Sequence, residues 1–94
     1  MPYYVMLSRL TDEGAKTLKH DPDRILEVDR EMEALGVKVH HQFATLGCYD
    51  FVNIVEAPDD ITVAKASLEL GSRGSVRIET LPAMPVADVI AAMK

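Results

Sequence analysis

The sequence predicts a single α+β domain in the order β-α-β-β-α-β, on three observations. Its 94 residues suit one domain and leave no room for separate cofactor and substrate lobes. The apolar pattern alternates between a period of two and a spacing of three and four, the marks of strand and helix. Glycine, proline and aspartate fall where the pattern switches, at Gly36, Gly47, Pro58 and Gly74, as turn chemistry requires.

Tyr3 to Arg9, rich in aromatic, β-branched and long apolar side chains, predicts the first strand. Thr11, followed by Asp12, Glu13 and Gly14, suits a cap and first helical turn, so Thr11 to His20 is read as a short helix. Asp21-Pro22 breaks it, with Asp21 expected as N-cap and Pro22 as first residue of a stronger helix. In that helix Ile25, Val28, Met32 and Leu35 form one stripe, which faces a core, and Gly36 closes it as the residue beyond the C-cap.

From Val37 to Leu46 the period becomes two, with Val37, Val39, His41 and Phe43 expected on one face and Lys38, His40, Gln42 and Ala44 on the other. Gly47-Cys48 is read as a tight turn into the next strand, Tyr49 to Ala57, which pairs with Val37 to Leu46 as an antiparallel hairpin. Pro58-Asp59-Asp60 ends that strand and caps a helix over Ile61 to Gly71, whose Ala64, Ala66 and Ser67 allow close approach to a sheet. Gly74 opens a last strand, Ser75 to Leu81, and Val86, Val89, Ile90 and Met93 mark an extra C-terminal helix within Pro85 to Lys94. The order is that of a ferredoxin-like fold with a four-stranded antiparallel sheet.

Both faces of Tyr49 to Ala57 carry large apolar residues, although an antiparallel sheet needs only one dry face. The C-terminal helix is read as one part of that cover but is too short to cover four strands alone, so a second subunit is expected over the other face. Self-association also suits a chain this small, in which much apolar surface stays exposed unless a partner covers it.

With 48% hydrophobic residues, 5% aromatic and no Trp, the core is aliphatic. The net charge of -5 argues against phosphate-backbone binding, which needs clustered Lys and Arg. The first ten residues lack a basic segment followed by a long apolar one, and no run reaches the roughly 18 apolar residues of a membrane span, so a cytoplasmic protein is expected. A single cysteine, Cys48, excludes an intrachain disulfide and any multi-cysteine zinc site.

The segment Thr45-Leu46-Gly47-Cys48-Tyr49-Asp50-Phe51-Val52, then Glu56-Ala57-Pro58 and Gly74-Ser75-Val76-Arg77-Ile78-Glu79-Thr80-Leu81, with Thr11, Gly14, Pro22 and Arg24, resembles the GYD-domain family. That resemblance spans nearly the whole chain and implies a protomer of the dimeric α/β-barrel type; it implies no particular reaction. Gly47-Cys48-Tyr49-Asp50 with Gly74, Val76 and Thr80 is also similar to the effector-binding domain of leucine-responsive-type regulators, which bind small amino acids at subunit interfaces. A first strand starting near Tyr3 leaves no room for their helix-turn-helix, so transcriptional control is not expected.

Tyr49, Asp50 and Arg24 are the candidate ligand-binding residues: a phenol and a carboxylate at a hairpin, and a cation early in a helix that suits an anionic group. Against this, Gly47 supplies a positive φ, Asp50 satisfies nearby backbone N–H groups and Tyr49 packs at an oligomer seam. Being adjacent in a strand, Tyr49 and Asp50 point to opposite faces. Arg24 has a bland reading too, as a surface ion pair.

His41, Asp50 and Glu56 are the candidate catalytic groups for proton transfer. The alternative makes His41 a packed, hydrogen-bonded histidine and Glu56 a partner of Arg77 or Arg9. His40 and His41 diverge in the strand and His20 lies at a helix break, so no metal site is expected; nor is any cofactor. Cys48 has no local activator and is read as a turn residue. Tyr49-Asp50-Phe51-Val52-Asn53-Ile54 superficially matches an RNA-recognition strand, but an acid sits between the aromatics and no basic residue leads it, so nucleic acid is not an expected partner.

Three functions fit: a homo-oligomeric, cofactor-independent small-molecule-binding protein with pockets between sheet and helices or between subunits; an enzyme like the α/β-barrel monooxygenases and isomerases; or a structural assembly module. No phosphate loop or nucleophile elbow supports a nucleotide or hydrolase reading.

Overall fold

The computed structural model describes residues 1–94. Eight elements run in order: β1 (Tyr3–Leu10), α1 (Asp12–His20), α2 (Arg24–Ala34), β2 (Lys38–Ala44), β3 (Phe51–Glu56), α3 (Asp60–Gly71), β4 (Val76–Ala83) and α4 (Val86–Met93). The strands form one sheet in the order β2-β3-β1-β4, every neighbouring pair antiparallel. This is the ferredoxin-like arrangement expected from the pattern, with the first crossover split into two helices.

α1, α2 and α3 cover one face of the sheet. Tyr4, Met6, Met32, Val37, Val55, Ala57, Val63, Ala66 and Leu70 are the buried core between them. The stripe expected on α2 does this work: Met32 is buried, and Val28 and Leu35 pack against the core. On α3, Ala66 is buried and Ser67 shares a 2.8 Å hydrogen bond with Thr80 on β4, whereas Ala64 faces solvent.

Caps fix the helix starts. The Thr11 hydroxyl accepts from the Gly14 amide at 3.1 Å and donates to the Gly74 carbonyl at 2.7 Å, tying α1 to the turn before β4. Gly14 permits this contact, since a Cβ there would lie 2.0 Å from the Ser75 carbonyl oxygen. The Asp59 carboxylate accepts from the amide and hydroxyl of Thr62, which holds its pKa below the usual aspartate range. Tyr4 donates to Asp60 in the first turn of α3 at 2.6 Å.

Four local expectations are corrected. Asp21 is the C-cap of α1 and not the N-cap of α2, because Pro22 and Asp23 form a turn and the helix begins at Arg24. The β2–β3 connection is a six-residue loop, residues 45–50, instead of a two-residue turn; Thr45 closes it by donating its amide to the Asp50 carbonyl and its hydroxyl to that of Tyr49. In β2 the register jumps from Val39↔Val55 to His41↔Ile54, so His40 is an extra, bulged residue. Val39 therefore packs on the core while His41 and Phe43 face the other way, breaking the single face expected for all three.

The fourth correction concerns α4. None of its residues is buried, and it lies against no other element to any extent. The Cα radius of gyration is 14.2 Å and the long axis 51 Å, against about 12 Å expected for a compact chain of this length. The last helix projects from the body and covers neither sheet face of its own chain.

Candidate functional site

Two places gather the candidate residues. The first is the sheet face opposite the helices. The register places Tyr3, Val5, Leu7 and Arg9 of β1 beside Glu56, Ile54 and Val52 of β3 on one side and Ala83, Leu81, Glu79 and Arg77 of β4 on the other, with His41 and Phe43 of β2 beyond. Val5, Leu7, Val52 and Ile54 are covered only in part, Leu81 is 43% exposed and Phe43 57%. Their centre is apolar and their ends carry charges of both signs.

Tyr49 closes one end of this face. Its hydroxyl donates to Glu79 in a short hydrogen bond, and the Arg9 guanidinium lies 5.7 Å from its ring centroid. The bond to the Glu79 carboxylate raises the phenol pKa, so Tyr49 is a neutral donor near pH 7. At the opposite end His40 contacts Glu56 and the Tyr3 ring, 5.9 Å away, and the chain's amino terminus lies 4.0 Å from Glu56. Glu56 thus pairs with His40 and the N-terminus, not with Arg77 or Arg9.

Asp50 lies between β3 and the end of β1. Its carboxylate accepts the Leu10 amide at 2.8 Å and its amide donates to the Ser8 carbonyl at 2.8 Å. These two bonds continue the β1–β3 pairing beyond Phe51, using a side chain where the strand geometry has run out. Gly47 has φ +123 with nothing near its Cβ position, so backbone conformation and not crowding selects glycine there. Leu46 and Cys48 on the same loop are exposed.

His41 is exposed and stacks on Phe43 at 6.2 Å, so it is not the packed, hydrogen-bonded histidine considered above. No hydrogen bond or ion pair links any two of His41, Asp50 and Glu56. No three His, Cys, Asp or Glu side chains converge on one point.

The second place is a cavity of about 120 Å³ between the helix-bearing face and α1, α2 and α3. Its walls are mostly apolar, among them Met6, Ile25, Val28 and Phe51, and Asn53, Ser8 and Gln42 add polar groups. Arg24 lines it and donates to Glu27 at 2.8 Å and Glu31 at 3.0 Å. Glu31 also pairs by charge with Arg73, out of line for a directional hydrogen bond. Arg73 and then Arg24 pull the Glu31 carboxyl below its usual range despite partial burial. Gln42 donates to Asp29 at 3.0 Å.

Asn53, on β3, is 7% exposed, and its Oδ1 is buried without a protein hydrogen bond. Sequence reasoning missed it. Within a strand an asparagine is disfavoured, and on the face carrying Val55 it was the one polar residue of an otherwise apolar set; that mismatch was the available signal. Of the three candidate ligand residues, the structure brings Arg24 to the cavity, Tyr49 to the rim of the open face and Asp50 to the β1–β3 junction.

The GYD domain family model matches residues 4–93. A protein of Thermus thermophilus named glutamine synthetase and cystathionine beta-lyase binding protein is 58% identical over 95 residues, spanning 100% of both chains.

Proposed function

The chain belongs to the GYD domain family, and from that premise we propose that it is a cytoplasmic, homo-oligomeric binding protein. It docks on metabolic enzymes of the glutamine synthetase and cystathionine β-lyase kind, and it takes a small molecule between sheet and helices. The observation that carries the first part is the 58% identity, end to end, with a relative named for binding those two enzymes. At that identity over both full lengths the fold is shared, and the docking role is carried over on that footing.

Self-association is supported by the open face. Val5, Leu7, Val52, Ile54, Phe43 and Leu81 form a continuous apolar surface in the protomer, with Arg9, Arg77 and Glu79 at one end and Glu56, His40 and the amino terminus at the other. A two-fold axis through the centre brings each patch onto its own copy, the self-complementarity an isologous dimer needs. In this assembly Tyr49 seals the rim against Glu79, Asp50 fixes the strand that carries the patch, and Arg24 serves the cavity on the far side of the sheet.

Biolayer interferometry with the immobilised chain and purified glutamine synthetase and cystathionine β-lyase from the same cells tests the enzyme-docking role. Saturable binding of at least one, with Kd at or below about 10 µM, is expected. Absence of binding to both at that concentration would remove the role.

A further inference from the structure

Resting on the small-molecule reading above, we propose that the cavity beneath the helices is a site for an uncharged molecule with a compact apolar body and one carboxamide or hydroxyl end, received by Asn53. Four observations lead there.

Size comes first. A cavity of about 120 Å³ holds about five or six non-hydrogen atoms, by comparison with an engineered 150 Å³ cavity that takes benzene. Second, its walls at Met6, Ile25, Val28 and Phe51 offer dispersion contacts and no charge.

Third, Asn53 lines the cavity, is more than nine-tenths buried, and its Oδ1 meets no protein donor. A buried amide left unpaired costs about 1–3 kcal/mol, so a residue of this kind at a core position answers to something other than stability. A primary carboxamide reciprocates an asparagine amide edge to edge, giving and accepting one hydrogen bond each; an alcohol satisfies Oδ1 alone. Ser8, also buried, lines the same cavity.

Fourth, the charged side chains at the cavity are already spoken for. Arg24 is bound to Glu27 and Glu31, and Arg73 to Glu31 and Glu69. Two guanidinium groups face three carboxylates, so a ligand carboxylate would have to displace Glu31. An ammonium group would find neutral oxygens on the cavity wall and, as its one nearby carboxylate, a Glu31 already shared by Arg24 and Arg73, and burying a poorly paired charge is far more costly than burying an amide.

Isobutyramide and isobutanol, with isobutyrate and isobutylammonium as charged counterparts of the same shape, are the probes. Saturation-transfer NMR and titration calorimetry on the full chain are the readouts. Both neutral probes are expected to bind and the charged ones to bind at least tenfold more weakly. Asn53→Leu is expected to raise the Tm of the free protein while weakening isobutyramide tenfold or more. Val28→Phe, which fills the cavity and leaves Asn53 in place, is expected to abolish binding of both neutral probes.

Tighter binding of isobutyrate or isobutylammonium than of isobutyramide would overturn the ligand class and leave a small-molecule site standing. Failure of all four probes, with Asn53→Leu lowering Tm, would overturn the proposal and the small-molecule reading with it, marking Asn53 as a structural residue. Neither outcome touches enzyme docking, which is measured separately.

Discussion

Asp50 shows how a motif residue acquires a role from geometry. Its carboxylate receives the Leu10 amide across the β1–β3 junction, and a hydrogen bond to a charged acceptor is stronger than one between neutral groups. Asp50→Ala is expected to destabilise the fold by about 1–3 kcal/mol, read as a shift of the urea midpoint; an unchanged midpoint would make the contact incidental. Gly14 and Gly71 make opposite cases. A Cβ at Gly14 would strike the Ser75 carbonyl, while none of the surrounding atoms approaches one at Gly71. Gly14→Ala should cost about 3 kcal/mol, as overpacking against backbone does. Gly71→Ala should gain about 0.4–1 kcal/mol through the unfolded chain, and thermal melts of the two variants should move in opposite directions.

Sequence reasoning at this scale identified the positive φ of Gly47 and a backbone N–H as the partner of Asp50, because both follow from residue type, but not that this N–H belongs to β1. It did not see the burial of Asn53. That burial depends on β3 lying under α1 and α2, and no local pattern reports which helices cover which strand.

At the scale of elements, periodicity and cap chemistry located every strand and helix, and α4 was found by its apolar stripe although it buries no residue against its own chain. Periodicity failed where a single inserted residue changes phase. The bulge at His40 turns His41 and Phe43 onto the open face, and strict alternation cannot anticipate it without a partner strand to count against. The Asp21-Pro22 pair carried a helix-start signal, yet the preceding helix used Asp21 as its own cap. Edge protection is also an element-scale feature: β4 carries Pro82 opposite Tyr4 of β1, and proline is tolerated there because its missing donor faces away from the ladder.

Tyr4 ties β1 to α3 through Asp60, and that carboxylate, with partial help from burial, pushes the phenol pKa up to about 12. The neutral phenol is therefore favoured in the folded protein relative to the unfolded chain, whose tyrosines titrate near about 10. The stabilisation is complete below that value and is lost as pH rises from about 10 to about 12. Tyr4→Phe should melt below the parent protein at pH 8, and the gap should close as pH approaches the upper value. A gap independent of pH would detach the titration from the hydrogen bond. On the acid side Glu31 and Asp59, both held low in the folded state, contribute stability that is lost as pH falls below about 4.

For the whole molecule, the decisive feature is a sheet with one dry face and one open one. Alternation along β3 already demanded a second cover, and the projection of α4 shows that the chain's own tail does not provide it. What the sequence could not reveal is the division of labour between faces: the motif residue Tyr49 edges the open face, while the cavity lies on the other side of the sheet with Arg24. On the proposed reading self-association takes one side and a small molecule the other, which leaves the two free to operate together.

Sedimentation equilibrium of the full chain beside Ile54→Asp tests the assembly most directly. Ile54 sits at the centre of the open face, paired with Val5 and His41, and belongs to neither the core nor the cavity. The account predicts a dimer or larger species for the parent at micromolar concentration and a folded monomer for the variant, with circular dichroism unchanged. A parent protein that sediments as a monomer, or a variant that assembles as the parent does, would contradict it.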